Sequence, residues 1–219
     1  MTTDANTHQQ QPQRSHRDYY TALHQAAITF TSSLEPEQVL QSIVTSTSEA
    51  MQIDACTLRL LDRQSGQLSL SCVHGLSDNY LSKGPVNLTH SAIDNEAMCG
   101  TPVYVPDVRN DTRFQYQEAA RQEGLVSVLC VPLEVRGEAI GVIRVYTKQP
   151  TTFAEDDIQF LTVLASLAAL SIENSRLYES MRSSYNNVMG ALWGTQSLVE
   201  PTETTTTFET VVRYHDYQV

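Results

Sequence analysis

The chain has 219 residues, 41% of them hydrophobic, which suits one folded domain with extensions. Its 14 Lys and Arg against 25 Asp and Glu give a formal net charge of −11, and these few cations form no stripe, which argues against a nucleic-acid partner. No apolar run approaches the ~20 residues that cross a bilayer, and the opening MTTDANTHQQQPQRSH holds no apolar signal-peptide core, so the expectation is a cytoplasmic protein with no membrane partner.

Residues 1–16 are rich in Gln, Thr and His and have almost nothing to bury, so a disordered tail is expected there. Tyr20, Leu23, Ala27, Phe30 and Leu34 then recur at spacings of three and four, which predicts an amphipathic helix over 17–34. Pro36 suits the first turn of a second helix, over 36–51. Residues 54–62 alternate as a strand, DRQSG turns the chain, and 67–74 alternate again, making a first hairpin. Residues 75–98 read as loop with one short helix over 91–98. A short strand over 102–105 is stopped by Pro106 and Asp107, and a helix over 113–122 is ended by Gly124.

Two apolar runs, 125–133 and 139–146, flank a polar turn over 134–138 that contains Gly137, a second hairpin signal. After Pro150 a helix opens with no breaker for more than thirty residues. Ile158, Leu161, Leu164, Ala165, Ala168 and Ile172 make the stripe that packs on the sheet. Past Asn174 a narrower line begins: Tyr178, Met181, Tyr185, Val188 and Leu192, at spacings of 3, 4, 3 and 4, the seam of a coiled coil. From 194 to 219 the chain is polar, although VVRYHDY has the residues for a short strand. The division is therefore a tail (1–16), a domain with its terminal helices (17–193) and a second tail (194–219). Antiparallel strands with helices gathered on one side indicate an α+β layer structure.

Cys56, Cys72, Cys99 and Cys130 lie 16, 27 and 31 residues apart, with no CxxC or CxxH pair, so no metal site or cofactor is expected and buried reduced thiols are the plain reading. His74 ends a strand beside Gly75, where a histidine faces solvent; His90 stands at the start of a short helix, where it can face a ligand. Arg59 and Arg144 are more informative, because a charge inside an apolar strand must reach water, a carboxylate or a bound anion. Asp107 reads as a cap for the following loop. Tyr104, Phe114 and Tyr116 can form an aromatic wall over a ligand or serve as ordinary core. No nucleophile–base set, phosphate loop or carboxylate pair has local support.

Several segments resemble the GAF domain family: EGLVSVLCVPLEVRGEAIGVIRVY with the helix after it, ACTLRLLDRQSGQLSLSCVHGLS, GTPVYVPDVRNDTRF, and SIENSRLYE in the exit helix. The resemblance covers roughly residues 23–192 and implies a central antiparallel sheet with long N- and C-terminal helices, in a small-molecule-sensing and dimerisation module of signalling proteins. It also implies that the first and last strands are neighbours, which brings Arg59 and Arg144 together. Bilin-binding members carry a Cys on the helix before the last hairpin; QYQEAARQEG has none. Lys148, Phe153 and Asp156 stand where parts of a cyclic-nucleotide constellation occur, but Thr147 replaces its Asn. Methionine-sulfoxide-reducing members need redox cysteines around the ligand; a redox enzyme using Cys99 or Cys130 is the alternative reading, at odds with this cysteine spacing. The family habit favours a homodimer through the terminal helices, with Tyr20, Leu23, Ala27 and Phe30 of the first and Tyr178, Met181, Tyr185, Val188 and Leu192 of the last at the contact. The implied partners are an unidentified small molecule and a signalling protein.

Overall fold

The computed structural model describes residues 16–63, 65–84 and 86–193. The expected tails, 1–16 apart from His16 and 194–219 with its short strand, lie outside the described residues. Five strands, β1 (Ala55–Leu61), β2 (Leu68–His74), β3 (Val103–Val105), β4 (Ser127–Val135) and β5 (Glu138–Thr147), form one sheet of order β2-β1-β5-β4-β3. Every neighbouring pair is antiparallel, and β5 pairs with β1, the first strand beside the last.

The β4–β5 turn is tighter than its polar stretch suggests. Arg136 and Gly137 both take positive φ, 54° and 81°, the two-residue primed turn whose twist matches its flanking strands, so pairing runs on to Val135 opposite Glu138. Being central, β5 is buried on both faces. Ile143 and Val145 meet the long helices, whereas Val142 and Tyr146 belong to a second core on the opposite face. Gly141 on β5 passes so close to β1 that a Cβ there would sit 2.2 Å from the Arg59 carbonyl oxygen and 3.0 Å from Leu60 Cα. Backbone inside a paired strand cannot move aside, so Gly141→Ala is expected to lower stability by about 3 kcal/mol, the upper end of overpacking costs. A urea midpoint within error of wild type would show that the strands give way.

Helices α1 (His16–Thr31), α2 (Pro36–Met51) and α6 (Glu155–Trp193) cover one face, as expected. The other face is covered as well, by α3 (Asp78–Leu81), α4 (Ala92–Met98) and α5 (Gln117–Glu123) with their loops. Helix α3 is too short to leave a periodic pattern; Ser77 caps it by accepting from Tyr80 N. Helix α5 starts later than residue 113, because the Asp111 carboxylate accepts from Arg113 N at 2.9 Å and holds that stretch as a turn. Three carboxylates, Glu155, Asp156 and Asp157, open α6, where they complement the helix dipole.

The inner face of α1 is rotated from the expected one. Tyr19, Ala26 and Phe30 are buried, Leu23 packs at their edge, and Tyr20 is 74% exposed. Tyr19 stacks on Phe160 of α6 at 4.5 Å between ring centres and its hydroxyl donates to Asp157. Phe30, expected at a subunit contact, is spent in the chain's own core, and Leu34 lies beyond the helix end. On α6 the core stripe is as expected, with Leu161, Leu164, Ala165, Ala168 and Ile172 fully buried and Ile158 partly so. Further on, Tyr178, Met181, Tyr185 and Val188 face outward. Val163, Leu170 and Leu177, seven residues apart, are also exposed and carry that line back along the domain. The Leu192 side chain lies outside the described residues. A window of α6 reaches a mean hydropathy of 1.3, but half of it is buried inside the fold, as a core helix requires.

Candidate functional site

On the face covered by the short helices, Arg144 of β5 lies opposite Thr57 and Cys130, and Arg59 of β1 opposite Val142. The two arginines are thus diagonal neighbours on one face, roughly 7–8 Å apart by strand geometry, and each is only 4% exposed. Helix α4 brings the fully buried Asp94 onto this face, where its Oδ2 forms an ion pair with Arg144 Nη2. Arg144 Nη2 also donates to Ser91 Oγ at 3.1 Å, and its guanidinium lies 5.6 Å from the Phe114 ring centre. Cys130 Sγ approaches Asp94 Oδ1 at 3.8 Å as a weak donor. No carboxylate pairs with Arg59 among the described residues.

The loop after α3 adds Lys83, whose Nζ sits 3.0 Å from the Tyr80 ring centre and 5.6 Å from that of Tyr116. Tyr80 meets Tyr146 edge-on at 6.4 Å, and Thr57 Oγ1 lies 3.4 Å from the Tyr146 hydroxyl. Of the buried side-chain polar atoms that have neither a hydrogen-bond nor an ion-pair partner among the described residues, three belong here: Arg59 Nε, Arg144 Nε and Tyr80 Oη. Buried polar groups are ordinarily satisfied, so such a concentration sets this cluster apart from the rest of the described core.

The electrostatics agree with this crowding of cations. Burial, then Arg59 and Arg144, push the Lys83 ammonium down to about 6, against the pull of Glu123 and Asp94. Burial also lowers Arg59, with Arg144 adding to it, although a guanidinium remains protonated in proteins. For Arg144 burial acts the same way but is outweighed by Asp94 and Tyr146, so its pKa stands well above the ordinary value. The Cys130 thiol is pushed up to about 12, chiefly by burial, which removes the thiolate a nucleophile requires.

The remaining candidates fall elsewhere. Tyr104 packs against the core on the opposite face, edge-on to Phe153 at 5.7 Å, and its hydroxyl donates to the Thr151 carbonyl; it is no part of a wall with Phe114 and Tyr116. His90 and His74 are exposed, and Cys99, at the end of α4, is exposed as well. Asp107 is the expected cap: it accepts from the backbone and guanidinium of Arg109, and the latter bond above all holds its carboxyl down at about 2. No group of three metal-ligating side chains occurs among the described residues. Asp94, Tyr80 and Lys83 escaped the sequence reading. The arginines' demand for a partner was visible, but with 25 carboxylates in the chain only the packing of α4 on the sheet selects Asp94.

The GAF domain family matches residues 35–172, and the chain belongs to it. It is 24% identical over 155 residues to the methyl sulfide methyltransferase-associated sensor of Methanosarcina acetivorans, covering 68% of this chain and 16% of that protein. It is 25% identical over 171 residues to the Nif-specific regulatory protein of Rhizobium etli, covering 75% and 29%. The chain thus spans less than a third of the length of these relatives. Among solved structures, the GAF domain of a phosphoenolpyruvate-protein phosphotransferase from Coxiella burnetii superposes with a TM-score of 0.67 at 22% identity, over 75% of this chain and 98% of that one. The free methionine-R-sulfoxide reductase of Neisseria meningitidis, solved with its substrate, shares the fold with a TM-score of 0.63 at 21% identity, over 75% and 95%.

Proposed function

We propose that this GAF domain is a non-enzymatic sensory or regulatory unit of signal transduction, which takes a small molecule at the Arg59–Arg144–Asp94 cluster and pairs with a second copy through α6. The observation that carries the reading is the concentration of three unpartnered polar atoms in one buried cluster. A core selected for stability alone would satisfy them or replace them with apolar groups. That two relatives are a sensor and a regulatory protein supports the same reading.

The route from ligand to output is short. Arg144 stands on β5, three residues before its end at Thr147. The loop that follows is tied to the sheet by Thr151 N donating to Ser127 Oγ at 3.0 Å, and it leads directly into α6. A ligand that draws on Arg144 moves the strand that feeds the exit helix, and the exposed line on α6 passes the rotation to the other subunit and on to a signalling partner.

Native mass spectrometry of the purified chain, before and after incubation with a small-molecule extract of the producing cells, tests this. The expected result is a non-covalent adduct that is lost on denaturation and absent from a chain carrying Arg59→Met and Arg144→Met. A folded wild-type chain that retains no adduct from any extract overturns the sensory reading.

A further inference from the structure

Given the ligand site just proposed, on which this step rests, we infer that the ligand carries an oxyanion, a carboxylate or phosphate group, and that Arg59 is the residue that binds it. The three unpartnered atoms at the cluster, Arg59 Nε, Arg144 Nε and Tyr80 Oη, are all able to donate a hydrogen bond, and the two guanidinium nitrogens can do nothing else. What is missing is therefore an acceptor. The charge balance points the same way. Two buried guanidinium groups face one buried carboxylate, and Arg144 already takes it. Glu123, the other carboxylate near Lys83, is committed to Ser77, accepting from its backbone N at 2.9 Å and from its hydroxyl.

Arg59 is thus left with a full charge in a dry setting and no counterion among the described residues, and its planar fork matches a carboxylate or phosphate edge. An apolar ligand would leave these donors as they are, and a cation would add to the excess. The aromatic groups alongside, Tyr80, Phe114 and Tyr116, can flank the rest of the molecule.

Thermal unfolding of the full chain in a buffer poor in oxyanions tests the inference. Probes are inorganic phosphate, succinate and neutral succinamide, each on wild type, Arg59→Met and the surface control Arg63→Met. The expected result is a rise in Tm on the order of 5 °C with phosphate or succinate well above its Kd, no rise with succinamide, the same pattern in Arg63→Met, and none in Arg59→Met. Which of the two anions acts tells phosphate from carboxylate. Arg59→Met alone, without anion, is expected to melt no lower than wild type, since it removes an uncompensated charge. Should it fail to fold, Arg59→Lys, which keeps the charge but not the fork, is expected to lose more than half of the rise. Equal rises with succinamide and succinate, or a rise that survives intact in the Arg59 variants, overturn the oxyanion inference while leaving a ligand site in place. No rise with either anion, together with an adduct whose accurate mass fits a compound without a carboxylate or phosphate group, overturns it too, whereas the loss of every adduct overturns the sensory reading itself.

Discussion

Asp94→Asn is expected to lower the unfolding free energy by about 3–5 kcal/mol, the cost of breaking a buried ion pair from one side. The carboxylate is fully buried, Arg144 is 4% exposed, and Arg59 and Lys83 stand close enough to feel both. Removing the negative charge leaves two guanidinium groups facing each other across neighbouring strands with no buried carboxylate among the described residues to offset them. Asparagine keeps the shape and can accept a hydrogen bond, so the loss reports charge rather than volume. The partner substitution separates pair from packing: Asp94→Leu with Arg144→Met should recover most of the stability, because an apolar pair of similar size satisfies the same space. Urea unfolding of the single and double variants provides the measurement. A loss below about 1 kcal/mol in Asp94→Asn, the scale of an exposed pair, would mean that water reaches the cluster and that its charges are not isolated.

The second large effect concerns association. Met181 and Tyr185 are 72% and 63% exposed on α6, past the last residues that pack the core, so a charge at either costs the isolated fold little. At a subunit contact the same change is severe, since it buries carboxylates without partners. Met181→Asp with Tyr185→Asp should therefore turn a wild-type dimer into a monomer while the thermal unfolding of the core is kept. Dimers that persist at roughly micromolar concentration require about 8 kcal/mol of association free energy, and two buried carboxylates remove most of that. Equilibrium sedimentation reads the mass directly. A monomeric wild type at such concentrations would sink the dimer, and a dimeric double variant would place the contact elsewhere, the exposed Tyr20 and Ile28 of α1 being the next surface to test.

The elements with many residues in one pattern were legible in the sequence. Both hairpins, the helix over Pro36–Met51 and the core stripe of α6 stand where alternation, a proline or 3-4 spacing puts them, because each such pattern is the same burial demand repeated several times along one element. The family followed from the order of those elements. Smaller features were not legible: α3 is too short to show a period, α5 yields its start to the Asp111 side chain, and α1 turns its Tyr19 rather than its Tyr20 inward, a choice one residue apart that only the shapes of α2 and α6 resolve. The same division runs through the site. That Arg59 and Arg144 need partners is a property of charged groups in apolar strands and could be read from the chain alone. That Arg144 receives Asp94 while Arg59 receives no carboxylate among the described residues, that Lys83 joins them from a loop, and that Tyr104 turns to the other face, depend on which helices land on which side of the sheet. Burial and pairing are properties of three-dimensional neighbours, so only the tertiary structure could decide them.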